Sequence, residues 1–404
     1  MTHTNSHDII ISGAGLVGLS LALACAQKGF KIALIEKNAP QPLTLESGQF
    51  SPRVSAINHA SERFLRSIGV WQTLPRQRMC GYNKMHVWDG LGSAALNFNA
   101  DEVQASHLGH IIENNLIIDA LWQGIYQHQS IDLFLSKQVT GLEQNKERAN
   151  VILSSQEQLS ASLVVGAEGK YSPIRQLAEI ETYDWDYQHT AIVTTVTHQH
   201  YHDHCAQQVF LDSGPLAFLP LSDELDGQNK SSIVWSVKTP QAETLLALSD
   251  GEFRNALNQA FEHKLGEIDA IDTRFSFPLK AQQAKTVFKD RVAIVGDAAH
   301  TIHPLAGLGV NLGFLDAAAL AQELTRAKQK QIDLTHPFVL RRYQRTRKSH
   351  NWAVAALMEA LKRGFDTQHP FSVLARNAGM NLLNKHSLAK RPLILAALGD
   401  IGTN

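Results

Sequence analysis

Between His7 and Lys37 a β-branched run, Ile9–Ile11, enters Gly13-Ala-Gly-Leu-Val-Gly18, which opens an alanine- and leucine-rich stretch to Gly29; a second apolar run then closes at Glu36-Lys37. Few chain paths satisfy all of this at once. Strand, tight turn, helix and second strand must follow one another, with glycines where the turn reverses, where backbone meets a ligand and where helix lies close to strand. The first N–H groups of such a helix and its dipole favour an anion. Gly13, Gly15 and Gly18, with Glu36 placed to accept from a ribose hydroxyl and Lys37 beside it, therefore predict a dinucleotide site. The apolar stretch Ile9–Ala26 also raises a membrane span or signal peptide. Glycines crowded at one end, no basic segment ahead and no small-residue cleavage site speak against both.

The 404 residues are enough for two packed domains. A formal net charge of −1 gives no electrostatic basis for nucleic acid as the main partner. Cys25, Cys80 and Cys205 are scattered, with no C-x-x-C pair, so neither a disulfide framework nor a structural zinc site is expected, and a reducing cytoplasm fits. His198, His200, His202 and His204 alternate beside Cys205 and raise a metal site. The Gln, Tyr and Asp between them read instead as a polar, solvated loop, and no metal is expected.

Asn38–Pro52 reads as a surface loop that delivers Arg53, followed by a short strand and a helix from about His59 to Ile68. Arg53 reaches either a phosphate or ring carbonyl of the ligand, or a surface salt bridge. Alternating apolar residues from Lys84 to Asn99 around Asp89-Gly90 predict a hairpin and with it a second sheet. A helix near Asn115–His128 and strands at Ile131–Leu135, Val151–Leu153 and Leu163–Val165 return to the first domain, the last running into Gly166-Ala-Glu-Gly-Lys-Tyr-Ser-Pro-Ile-Arg. From Ala191 to Phe277 the chain is β-rich, with strands at Ala191–Val196, Gln207–Leu211, Leu216–Leu221 and Ser232–Lys238. Arg291-Val-Ala-Ile-Val-Gly-Asp then sets Asp297 at the carboxyl end of a strand, where open α/β sheets bind ligands. Gly307–Gly313 opens a long helix whose first N–H groups either face a polar ring or merely turn the chain. The helical tail from Phe338 carries Arg341, Arg342, Arg345, Arg347 and Lys348: a solvated face, or a patch for anionic lipid or an acidic partner.

Three of these stretches together, Gly13-Ala-Gly-Leu-Val-Gly, Gly166-Ala-Glu-Gly, and Gly296-Asp297 with His303-Pro-Leu-Ala-Gly-Leu-Gly-Val-Asn-Leu-Gly, resemble the flavin-dependent aromatic hydroxylases of the para-hydroxybenzoate hydroxylase type, nearly end to end. Gly-Asp-Ala-Ala-His-Thr-Ile-His-Pro-Leu-Ala-Gly is similar to the signature of the ubiquinone-biosynthesis hydroxylases. Arg53-Val-Ser-Ala-Ile-Asn, His107-Leu-Gly-His-Ile-Ile-Glu-Asn and Leu340-Arg-Arg-Tyr resemble their polyprenylphenol hydroxylase branch. Glu168 stands where the family usually has Asp, and Leu308 where the ubiquinone branch usually has Gln.

The resemblance implies an α/β fold: a Rossmann-like FAD-binding domain from residues 1–80, 100–180 and 280–335, an interleaved β-sheet substrate domain from 81–99 and 181–279, and C-terminal helices over 336–404. It implies that Gly13, Gly15, Gly18, Glu36 and Lys37 hold the ADP half of FAD, and that Arg53 and Asn114 lie along the pyrophosphate and ribityl chain. Asp297 would bind the ribityl, with Pro304, Gly307, Gly309 and Asn311 lining the ring. The implied activity uses NAD(P)H and O2, through a C4a-hydroperoxyflavin, to hydroxylate a polyprenylphenol, at C5 of the ring. His300 and His303 are the candidate bases by position. The implied setting is the cytoplasm with peripheral contact at the inner membrane, a homo-oligomer, and assembly proteins of ubiquinone biosynthesis. The alternatives are a redox-silent FAD-binding scaffold of a quinone-biosynthesis complex and a hydroxylase acting on another ring position or on a soluble phenol; a flavin halogenase is set aside because no Trp-x-Trp-x-Ile-Pro is present.

Overall fold

Ile9, Ile10 and Ile11 are all fully buried, which requires cover on both faces of their strand and therefore a central position in a sheet. The computed structural model, which describes residues 5–44, 48–301, 309–347 and 370–399, places them there. Strand Asn5–Ser12 runs parallel to Ile32–Glu36 on one side and to Gln158–Gly166 on the other. Ile131–Leu135 and Val292–Ile294 extend the parallel core outward in an eight-stranded sheet. Helix Leu16–Ala26 packs against helices Gly309–Gln329 and Asn114–Tyr126. It is 11 residues long, and no described helix is long and apolar enough to cross a membrane.

A nine-stranded sheet forms the second body. Its spine is Thr182–His198, paired antiparallel with Lys230–Lys238 and Phe275–Ala284. The predicted hairpin is present as Lys84–Asp89 and Ala95–Asn99, joined to this sheet by parallel pairing with Cys205–Leu211. Helices Thr239–Ala247 and Asp250–Ala260 cover one face through Leu245, Phe253 and Leu257. On the opposite face Ala217, Leu219 and Leu221 meet Phe50, Ala56 and Ile111. Ala56 and Ile111 belong to a three-stranded sheet of Val54–Ile57, Gly109–Glu113 and Cys80–Tyr82, which fills the space between the two larger sheets.

Strand His300–Thr301 leaves the first body and pairs with Gln282–Gln283 at the edge of the second, so the segment around Asp297 sits where the two bodies meet. Helix 337–347 is held by Tyr343, fully buried, whose hydroxyl donates to the Ile294 carbonyl at 2.9 Å. Helices Pro370–Lys385 and Ser387–Ala397 lie over the hairpin. There Asn377 Oδ1 accepts from Ala94 N–H at 2.8 Å, and Lys390 Nζ donates to the Asn97 carbonyl at 2.8 Å and pairs with Glu102.

Candidate functional site

The three glycines of the first turn do different physical work. Gly13 has φ +99°, and a Cβ there would stand 2.5 Å from the Ala167 carbonyl oxygen. At Gly18 a Cβ would fall 1.9 Å from the Gly13 carbonyl oxygen, so helix and turn are in direct backbone contact. At Gly15 a Cβ would meet nothing within 4 Å, and the helix starts there with no capping side chain. Open ground in front of uncapped N–H groups is a cradle for an anion. Glu36 braces it: Oε2 accepts from Ala14 N–H at 2.6 Å and Oε1 from Asn38 N–H at 3.1 Å. Lys37 is exposed beside it.

The second stretch lies against the first, since Ala167 N–H donates to the Ser12 carbonyl at 2.8 Å. Glu168 Oε2 accepts from the Ser172 hydroxyl at 2.5 Å, whereas Oε1 is buried without a partner. Burial pushes this carboxyl up, against the pull of the Ser172 and Ser12 hydroxyls. Arg175, buried, then stitches the second stretch to the third. Its Nη1 donates to the Ala298 carbonyl at 2.9 Å and its Nη2 to the Lys170 carbonyl at 2.6 Å. Sequence reasoning quoted this arginine without a role; the only signal was its place at the end of Ser172-Pro-Ile-Arg, in the first turn of a short helix capped by Ser172.

Asp297 is open to solvent but hemmed in by protein, and that crowding pushes its carboxyl up, against the opposing pull of His300, Arg53 and Lys170. Arg53 thus shares the electrostatic neighbourhood of Asp297, its guanidinium 5.7 Å over the Phe277 ring. Asn114 N–H donates to the Arg53 carbonyl at 2.9 Å, and Asn114 Oδ1 accepts from the Ser55 hydroxyl at 2.6 Å. Asn311 is buried with both ends of its amide engaged: Nδ2 donates to the Ala56 carbonyl at 2.8 Å and Oδ1 accepts from Asn58 N–H at 3.0 Å. It therefore ties the helix opened by Gly309 to the strand that follows Arg53.

His300 is buried with Nε2 2.5 Å from Asp316 Oδ2, an oxygen that also accepts from Gly296 N–H at 3.0 Å. Arg347 Nε donates to the other oxygen at 2.6 Å and Nη2 to the Leu312 carbonyl at 3.2 Å. Burial opposes the charge on Asp316, but His300 and Arg347 overcome it and hold the carboxyl down at about 2. One ring nitrogen of His300 is thus engaged with a carboxylate that is ionised at neutral pH, which leaves Nδ1 as the nitrogen with which it can meet a ligand. His303, Pro304, Gly307 and Leu308 lie outside the described residues.

Two surface expectations change. The alternating histidines are a solvated loop only in part: His200 and His204 are exposed, whereas His198 and His202 are each only 2% exposed. His198 bonds the His200 carbonyl at 2.8 Å and Ser231 Oγ at 2.9 Å, His202 the Leu221 carbonyl at 2.9 Å, and His204 the Gly81 carbonyl at 2.8 Å. Burial drives His198 down to about 4, so it stays neutral near pH 7. In the basic run, Arg347 points inward to Asp316 and Arg342 pairs with Glu323 at 3.1 Å, leaving Arg341 and Arg345 exposed; Lys348 is outside the described residues.

The turn, the half-buried acid of the second stretch and the strand-end carboxylate of the third converge on the start of one helix, with Val17 touching both Gly296 and Gly313. An uncapped helix start beside an open Gly15, continued by Arg53 and Asp297, fits an extended dinucleotide. Comparison with known proteins agrees. The sequence profile described as "FAD binding domain" matches residues 6–357. The chain is 33% identical to the 3-demethoxyubiquinol 3-hydroxylase of Escherichia coli (strain K12) over 392 residues, 97% of this chain and 98% of the relative. It is 34% identical to the ubiquinone hydroxylase UbiL of Rhodospirillum rubrum over 394 residues, 98% and 90% of the two chains. In fold it is similar to p-nitrophenol 4-monooxygenase PnpA from Pseudomonas putida DLL-E4, with a TM-score of 0.76 at 18% identity, covering 98% of this chain and 99% of that one.

Proposed function

The chain belongs to the FAD binding domain family and is an FAD-dependent monooxygenase, and on that premise we propose that it hydroxylates the ring of a polyprenylphenol-type intermediate of ubiquinone biosynthesis, at C5, with NAD(P)H as electron donor and O2 as oxygen source. The observation that supports this most is the convergence of Gly15, Arg53 and Asp297 at the meeting of two sheets, together with two relatives over nearly the whole chain named 3-demethoxyubiquinol 3-hydroxylase and ubiquinone hydroxylase.

FAD supplies the redox and oxygen chemistry that side chains lack. The chain binds and orients: Gly13, Gly15 and Gly18 bring the helix N–H groups to the pyrophosphate, and Glu36 with Lys37 meets the adenosine ribose. Arg53 and Asn114 follow the pyrophosphate and ribityl, and Asp297 takes a ribityl hydroxyl. Pro304, Gly307 and Gly309 would line the ring, with Asn311 holding the helix opened by Gly309 to strand Val54–Ile57. A phenol has a pKa near 10, so removing its proton at neutral pH requires a base; His300 through Nδ1, or His303, takes that part. In this reading residues 1–80, 100–180 and 280–335 carry the cofactor, 81–99 and 181–279 the substrate, and 336–404 are the C-terminal helical region.

Glu36→Ala is expected to weaken FAD by about 1–3 kcal/mol, the loss of a charge-assisted hydrogen bond, measured by titrating apo-protein with flavin; unchanged affinity would remove Glu36 from the site. Phenol-dependent NADPH oxidation with matching oxygen uptake tests the activity and separates an enzyme from a redox-silent scaffold. Mass spectrometry of an aerobic deletion strain tests the substrate, the expected result being less ubiquinone and an accumulated polyprenylphenol.

A substrate with an isoprenoid tail stays out of water, since each buried CH₂ is worth about 0.8 kcal/mol, so the enzyme docks at a lipid surface. Arg341 and Arg345, exposed beside an exposed Phe338, form the docking face. Reversing both to Glu is expected to weaken flotation on anionic vesicles by about tenfold or more, at about 1 kcal/mol per basic residue. Equal flotation of variant and wild type would discard the face.

A further inference from the structure

Glu62, on helix His59–Ser67, meets His107 and His110, at the start of strand Gly109–Glu113, in a cluster that none of the cofactor stretches uses. Glu62 Oε2 lies 2.9 Å from His107 Nε2 and 3.4 Å from His110 Nδ1, and the three ligand atoms lie within 4.8 Å of one another. His110 Nδ1 is buried and makes no hydrogen bond of its own, although it is aimed at the carboxylate. A tetrahedral ion bound at about 2.0–2.1 Å by nitrogen and oxygen sets its ligand atoms about 3.3 Å apart. The Glu62–His110 edge has that length already, and the Glu62–His107 edge needs to open by only a few tenths of an ångström.

The surroundings hold these groups in place from outside, as the neighbours of metal ligands do. Arg66 donates Nε and Nη2 to Glu62 Oε1 at 2.9 and 2.7 Å, which turns Oε2 toward the imidazoles. Ser106 Oγ is 2.8 Å from His107 Nδ1, so Nε2 is the nitrogen left for a ligand. The His59 ring lies 4.4 Å from that of His107, and His59 Nε2 bonds the His107 carbonyl at 2.7 Å. His107 and His110 are each about one-fifth exposed, enough for an ion to enter and for water to complete its shell. Glu62 is held well below the usual carboxylate range: burial opposes its charge, but His107, His110 and Arg66 together outweigh it.

We propose that Glu62 Oε2, His107 Nε2 and His110 Nδ1 bind one divalent ion of the zinc class, with water as fourth ligand, cross-linking helix His59–Ser67 to strand Gly109–Glu113. The ion fixes a helix whose cap, Asn58, donates its N–H to Asn311 Oδ1 and whose Ala60 N–H bonds the Leu398 carbonyl at 3.1 Å. It clamps this junction and takes no part in oxygen transfer.

The test uses flavin-loaded protein stripped of metal by a chelator and then dialysed. Titration with Co2+ is expected to saturate at one equivalent with intense tetrahedral absorption beyond the flavin bands, and Zn2+ is expected to displace it. His110→Gln and His107→Gln are each expected to weaken Zn2+ by about a hundredfold or more in competition with a chromophoric chelator, at normal flavin content. If either variant fails to fold, the wild-type thermal transition decides, since it should rise with Zn2+ concentration. A weak octahedral Co2+ spectrum, a substoichiometric end point, unchanged affinity in a folded variant, or a wild-type transition indifferent to Zn2+ each overturns the proposal.

Discussion

Gly18→Ala is expected to give a protein that barely folds, whereas Gly15→Ala, three residues earlier, is expected to fold normally and fail to bind FAD. At Gly18 the added carbon would stand 1.9 Å from the backbone oxygen of Gly13. No side chain can swing away, so helix and turn must part, at a cost of about 3 kcal/mol or more. At Gly15 the added carbon meets nothing within 4 Å, so the stability of the apo-protein should stay within about 0.5 kcal/mol. The methyl instead occupies the approach to the uncapped helix start, and FAD affinity should fall by about a hundredfold, near 3 kcal/mol. Denaturation of both apo-variants and flavin titration of Gly15→Ala separate the two effects. Wild-type FAD affinity in Gly15→Ala would move the pyrophosphate elsewhere, and a wild-type melt for Gly18→Ala would refute the close approach.

The second large effect belongs to Asp316. Replacing it with Ala removes the carboxylate that meets the buried Arg347 and takes the partner from His300 and from Gly296 N–H. Removing one member of a buried ion pair costs about 3–5 kcal/mol. Because the penalty comes from the stranded charge, adding Arg347→Leu to Asp316→Ala should recover part of it, and a double mutant less stable than the single would contradict this account. The pair also has an acid limb. The folded carboxyl sits at about 2 against an ordinary 3.8, so its contribution is fully present above about pH 4 and lost as pH falls toward 2, amounting to about 2 kcal/mol. The difference in stability between wild type and Asp316→Asn should therefore shrink across that window. A constant difference from pH 5 to 2 would show that Asp316 is not held ionised.

Much of the first body was legible in the chain because its demands are local. A glycine that must adopt φ +99° or touch backbone leaves its mark within six residues, as Gly13 and Gly18 do. Lys84–Asn99 announced itself through alternation around a turn. The missed features have distant partners. Asn311 reads as one residue of a glycine-rich helix start, yet its amide closes on Ala56 and Asn58 more than 250 positions away. Arg347 reads as one more cation in a basic run, and Glu62 as one more acid on an amphipathic helix, because a buried charge and a solvated one are the same letter. A clue to Asp316 was available: it is an isolated acid in the apolar run Leu312-Gly-Phe-Leu-Asp-Ala-Ala-Ala-Leu, and a carboxylate on such a helix must find a cation.

The clasp between the hairpin and the last described helices bears on the order in which the chain can acquire its form. Asn97 is made early, but the lysine that holds its carbonyl follows 293 positions later. At about 5–20 residues per second on the ribosome, that gap lasts roughly a quarter of a minute to a minute. Until Met380 emerges, Val87, Leu96 and Phe210 lack their cover, and the strand Ala95–Asn99 presents an unshielded edge. The nascent protein thus passes through a stage in which its hairpin is sticky.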